Sequence, residues 1–291
     1  MARNVIELGV HDHKPANPGT RSASRNRCRD VQLRSPRSAF AKHAQSRWWK
    51  IEQVRELSEL IDVDDPAWPV MLEEISESVV PVDVLPVEPE HGGRCLQQLQ
   101  ITVRSMLGAV VWHTGGLLLD DGWLRVYGSP AADADLPGLA QVNGFPQRFE
   151  PTWQPAGGLV VAHDVLGGVF ALNGADAVGR PGAPGQMVYF APDSLKWEAL
   201  KIGHSAWLAW LLSGGLEDFY AALRWSGWRE EVAEVTASEG ISVVPFLWSA
   251  EAQQDLNATS RRRVPMAELL GLSREFGERL GVGDPGFLGQ L

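Results

Sequence analysis

The chain has 291 residues, 44% of them hydrophobic, enough for a sizeable core, and none of its apolar runs approaches the roughly 18 to 20 residues of a membrane-crossing helix. Its formal net charge of −10 is divided unevenly: residues 1–50 hold 11 Lys and Arg against three acids, leaving 15 against 33 in the remainder. A body this acidic disfavours nucleic acid, whose binding draws on clustered Lys and Arg, and complements a basic protein partner instead.

Residues 1–50 carry Pro15, Pro18, Pro36, scattered Ser and Arg, and no apolar periodicity, so they read as a disordered basic leader. A start assigned too far upstream accounts for the leader equally well. From residue 51 to 291 a single α+β domain is expected. Ile51, Val54, Leu57 and Ile61 fall at helical spacing, as do Trp68, Met71, Leu72 and Ile75, and a third short helix is expected over 95–100.

Runs of β-branched and aromatic residues bounded by Gly predict strands at 109–113, 117–119, 123–126, 159–163, 169–172, 187–190 and 197–200. They should form a mostly antiparallel sheet, with 128–158 and 173–186 as long connections. Helical spacing returns with Trp207, Trp210 and Leu211, then with Leu216, Phe219, Tyr220 and Leu223. A further strand is expected at 241–248, held to an edge by Pro245, then a polar loop over 249–263. Met266, Leu269, Leu272, Phe276 and Leu280 make the last helical stripe. Helices, then strands, then helices indicate α+β, a sheet flanked by N-terminal and C-terminal helices.

Short motifs carry little chemistry. Gly203-His204-Ser205-Ala206-Trp207 begins like a nucleophile elbow, but Trp207 stands where Gly is required, so Ser205 reads as a helix N-cap. Gly281-Val282-Gly283-Asp284-Pro285-Gly286 has dinucleotide-loop spacing, yet it follows a helix and contains Pro285, so it reads as a frayed terminus. His163-Asp164 joins the residue types of acid–base pairs, although Asp at strand ends more commonly bends and caps backbone. Arg261-Arg262-Arg263 reads as a solvated loop. Cys28 and Cys95 are the only thiols, too few for a disulfide framework or a four-thiolate zinc site, which fits the cytoplasm; no metal, cofactor or catalytic residue is assigned.

There are 12 Trp in the chain, and Trp225 and Trp228, separated by Ser226-Gly227, are the candidates for a partly exposed aromatic patch. With His163 and Asp164 they complete the set of candidate binding residues.

Five blocks resemble an uncharacterised bacterial domain-of-unknown-function family, number 2625: residues 159–174, 187–198, 62–69, 115–125 and 216–225, within a resemblance spanning 54–280. The order of Gly-Gly strand, Gly-rich turn, Val-Tyr-Phe, Trp-Glu and amphipathic helix is similar, more distantly, to the Smi1/Knr4-like immunity superfamily. That similarity implies a non-enzymatic α+β scaffold that binds proteins and neutralises toxins. The 128–158 insertion departs from its pattern, and no functional residue carries over. The leading expectation is therefore a non-enzymatic protein-binding domain. The alternative is an enzyme or small-molecule-binding protein with a dispersed site, which requires His163 and Asp164 to point together into a deep pocket.

Overall fold

Seven short strands pair with their sequence neighbours in an unbroken antiparallel meander, seen in a computed structural model that describes residues 54–291 apart from 88, 131–134, 176 and 178. The basic leader and Ile51 lie outside the described residues. The strands are β1 (Val82–Leu85), β2 (Gly116–Leu119), β3 (Leu124–Tyr127), β4 (Gly158–Asp164), β5 (Val169–Asn173), β6 (Met187–Ala191) and β7 (Lys196–Ala199). Around them run α1 (Leu57–Ile61), α2 (Trp68–Ser76), α3 (Pro89–Leu99), α4 (Met106–His113), α5 (Leu139–Val142), α6 (His204–Trp210) and α7 (Leu216–Tyr220). The C-terminal section holds α8 (Trp228–Ala233), β8 (Glu239–Val244), α9 (Ala250–Gln254), β9 (Ser260–Pro265) and α10 (Met266–Arg279), with β8 and β9 paired as a separate ribbon. The class is α+β, and the sheet is antiparallel throughout.

Strands β3 to β6 are buried along their whole length, which means the sheet is covered on both faces. On one face Phe170 and Tyr189 pack against Trp207 and Phe219 of the α6–α7 segment, with ring centroids 5.2 and 4.9 Å apart in the closest pairs. The registers align Arg125, His163, Val169, Phe190 and Trp197 in one row across β3 to β7 on the other face. Helix α5 packs on β4 there, its Asn143 side chain bonding both the N–H and the C=O of Val160 at 2.8 Å.

Several expectations are corrected. Residues 109–113 belong to helix α4, not a strand: Ser105 caps it by accepting from the Gly108 N–H at 3.0 Å, and Leu107, Ala109, Val110 and Val111 are all buried. A helix buried on every side shows no polar stripe, so its apolar run looks like a strand. The strand expected over 241–248 ends at Val244, because Pro245 has no N–H to continue the ladder. The loop expected over 249–263 instead contains α9 and most of β9, whose arginines pair in register with β8. Strand β1, missed in the sequence, pairs Val82 with Leu119 at the sheet edge.

Candidate functional site

The Val-Val-Ala-His-Asp end of β4 places His163 and Asp164 on opposite faces, as the alternation of a strand requires. Asp164 is fully buried. Its Oδ1 accepts the N–H groups of Leu166 and Gly168 at 2.9 and 2.8 Å, closing the turn into β5. Its Oδ2 accepts the hydroxyls of Tyr189 and Tyr220 at 2.7 and 3.0 Å. A carboxylate has about four acceptor positions, and here all are taken. Burial pushes the Asp164 carboxyl above its ordinary range, opposed by these four hydrogen bonds, and burial also raises both tyrosines.

His163 has its own partners on the other face. Nε2 lies 2.8 Å from the Leu288 carbonyl, which can only accept, so Nε2 carries the proton and Nδ1 accepts from the Tyr127 hydroxyl at 2.6 Å. Burial holds this imidazole down to about 4, hence neutral. Arg125, its cross-strand neighbour, is also buried, which lowers it to about 10, and donates to the Glu239 carbonyl. The two candidate residues therefore occupy two separate hydrogen-bond networks, and neither faces a shared cavity. An apolar hollow lined by Leu166, Ile241, Val243, Trp248, Leu269 and Leu272 includes none of the four candidates.

Trp225 and Trp228 converge instead on Trp123, with ring centroids 5.9 and 5.0 Å away, and Tyr220 packs on the same ring at 5.3 Å. Asp164, Tyr220, Trp123, Trp225 and Trp228 thus form one continuous chain of contacts from the core outward. Trp225 is buried, contrary to its expected exposure, because its Nε1 donates to Glu231 at 2.9 Å and Arg261 stacks over its ring at 4.8 Å. Trp228 is half-buried, held between the guanidinium groups of Arg224 and Arg229 at 4.2 and 4.3 Å.

Those guanidiniums are themselves paired. Arg224 and Arg229 both bind Asp120, and Arg229 also binds Asp121 at 2.5 Å. The two Asp residues stand at φ 53° and 59° in the turn between β2 and β3, and the Arg pairs fix that left-handed geometry. Arg261, expected in a solvated loop, chelates Glu231 from β9 at 3.0 and 3.2 Å. Ser205 lies one turn position inside α6, whose N-cap is Gly203 without a side-chain bond, so it is not the cap.

Sequence reading missed Tyr127, Tyr189, Tyr220 and Trp123. No local motif marks them; Tyr220 is 56 positions from the carboxylate it bonds. Among the described residues, no group of three or more His, Cys, Asp or Glu is placed to hold a metal ion, and no helix is long and apolar enough to cross a membrane.

Comparison with known proteins gives the affinity of the chain. The profile of the family described as protein of unknown function DUF2625 matches residues 57–269. The chain is 36% identical to the putative uncharacterized protein YbfG of Escherichia coli (strain K12), over 74% of this chain and 94% of that relative. It is 32% identical to an uncharacterized protein of Haemophilus influenzae (strain ATCC 51907 / DSM 11121 / KW20 / Rd), over 66% of this chain and 82% of that relative. No solved structure matches.

Proposed function

We propose, from the premise that the chain belongs to the family described as protein of unknown function DUF2625, that it is a non-enzymatic protein-binding domain of the cytoplasm whose partner is basic. The observation that carries this reading is the segment 54–87, formed by α1, α2, β1 and their connections. It holds Glu56, Glu59, Asp62, Asp64, Asp65, Glu73, Glu74, Glu77 and Asp83 against Arg55 alone, and all nine acids are exposed or half-exposed. Val54, Val70, Leu72, Val79 and Val84 are exposed in the same segment.

Apolar side chains among carboxylates offer both parts of an interface for a basic protein: area to bury, and a field that raises the rate of encounter. Glu74 sharpens the point. Partial burial and the neighbouring Glu73 push its carboxyl above the usual range, and its Oε2 has no hydrogen-bond partner among the described residues. An incoming Lys or Arg would relieve both.

Trp228 is the candidate residue that reaches solvent, and it serves as a second contact. Catalysis at His163 and Asp164 would require opening the sheet on both faces. Cys95, buried as a free thiol and pushed up to about 11, suits a reducing compartment. The distant Smi1/Knr4 resemblance makes toxin neutralisation the specific form of this reading.

The test is affinity capture from the native host on the full chain, beside a Glu73→Lys/Glu77→Lys variant. A saturable basic partner retained by the parent, released by salt and lost by the variant supports the reading. Equal capture by both chains rejects it.

A further inference from the structure

The C-terminal segment is held as a peptide ligand would be held. After α10 the N–H groups of Val282 and Gly283 return to the Gly277 carbonyl, and the chain then runs without helix or strand to Leu291. Gly281, Gly283, Gly286 and Gly289 all take positive φ, from 70° to 108°. Residues 281–286 are the stretch expected to fray, and the Val282, Gly283 and Pro285 backbone is hydrogen-bonded instead.

Its backbone carbonyls are read by side chains from separate elements. Trp197 Nε1 on β7 donates to Pro285 O at 2.8 Å, Arg180 from the β5–β6 connection donates to Phe287 O, and His163 Nε2 on β4 donates to Leu288 O at 2.8 Å. The Gln290 N–H returns to Val142 O at the end of α5, also at 2.8 Å. Trp197 and His163 belong to the same cross-strand row, three strands apart, so the segment crosses the sheet rather than extending it. Leu288 is fully buried, and Gly289 lies so close to the His163 ring that a Cβ there would come within 3.1 Å of it.

The face and its occupant also fall on different sides of the family match. His163, Arg180 and Trp197 lie inside the family match, which ends at residue 269; the occupying segment lies beyond it. Donors aimed at carbonyls accept many sequences, whereas the buried site for Leu288 and the tight approach at Gly289 select one aliphatic residue followed by glycine.

We propose that this sheet face is a groove for an extended peptide of a partner protein carrying an aliphatic residue followed by glycine. Residues 285–290 fill the groove in cis, and the tail and an incoming peptide exclude one another. The groove is independent of the acidic segment 54–87, so either reading can fail without the other.

The probe is a fluorescein-labelled peptide with the sequence of residues 281–291, titrated by anisotropy into the full chain and into the full-length Leu288→Asp variant. The variant should bind the peptide about tenfold or more tightly than the parent, because its own tail no longer competes. A peptide with Asp in place of its Leu should not bind, and adding Trp197→Phe to the variant should weaken binding again. A folded Leu288→Asp chain that ignores the peptide overturns the proposal. If Leu288→Asp and the milder Gly289→Ala both unfold the whole domain, the tail is part of the core and the proposal is likewise overturned. A parent dimer built by exchanged tails assigns the groove to a second copy and overturns the partner form.

Discussion

The hydroxyl of Tyr220 donates to Oδ2 of Asp164 at 3.0 Å and so ties α7 to the end of β4 across 56 positions of sequence. Tyr189 shares that oxygen from β6, and two backbone N–H groups hold the other oxygen. The carboxylate is thus the joint between sheet and helices. Asp164→Ala leaves four buried donors without an acceptor and should cost about 3 to 5 kcal/mol by urea denaturation. Tyr189→Phe and Tyr220→Phe should each cost about 1 to 2 kcal/mol. A loss under about 1 kcal/mol for Asp164→Ala would show that the joint lies elsewhere.

Acid should weaken the fold through its histidines. His163 and His204 are both buried, and burial holds each at about 4. An unfolded imidazole titrates near about 6.5, so between those values the unfolded chain takes up protons that the fold refuses. Stability therefore falls as pH drops from about 6.5 to about 4, by up to roughly 3 kcal/mol per ring. Asp164 acts oppositely: its carboxyl is raised by burial, so the strain of holding it ionised is relieved as pH falls through its folded value.

His204 separates structural need from mere burial. Neither ring nitrogen has a hydrogen-bond partner among the described residues. His204→Leu should raise stability at neutral pH by about 1 kcal/mol and flatten the acid loss. Lower neutral stability with an unchanged acid profile would contradict this.

Two glycines should respond differently to alanine. A Cβ on Gly168 would overlap Asp164 Oδ2 and the Tyr189 hydroxyl, so Gly168→Ala should cost more than about 3 kcal/mol. Gly122 has open space around it but sits at φ 83°, so its substitution should cost only about 1 kcal/mol. Thermal melts of the two variants compare them directly.

The central strands were legible because Leu159-Val160-Val161-Ala162 and Met187-Val188-Tyr189-Phe190 are β-branched and aromatic runs buried on both faces. Helix α4 was misread because it too is apolar all round, and Ser105 was the only sign of its start. Strand β9 was invisible because three consecutive arginines look solvated until β8 and Glu231 are placed beside them. His163-Asp164 stood out as neighbours in sequence, but a strand turns neighbours to opposite faces, and apart from the two N–H groups of the turn after β4 their partners come from 25 to 125 positions away. The tail was read as loose because Gly and Pro carry no periodicity; its anchors are donors on other elements.

At the β2–β3 turn, Asp120 and Asp121 should differ in weight. Asp120 is buried against Arg224 and Arg229, while Asp121 is exposed and, among the described residues, pairs with Arg229. Asp120→Ala strands a largely buried guanidinium and should cost about 3 kcal/mol; Asp121→Ala should cost about 1 kcal/mol or less. Trp fluorescence should report the first substitution and hardly register the second, since Arg224 stacks on both Trp123 and Trp228.

The most direct test of the protein-binding account is hydrogen exchange of the full chain with and without a basic protein recovered by the affinity capture. The account predicts slower exchange in α1, α2 and β1, within residues 54–87, and no change at the buried end of β4. Protection confined to the remainder of the chain, with 54–87 exchanging at its free rate, would contradict it.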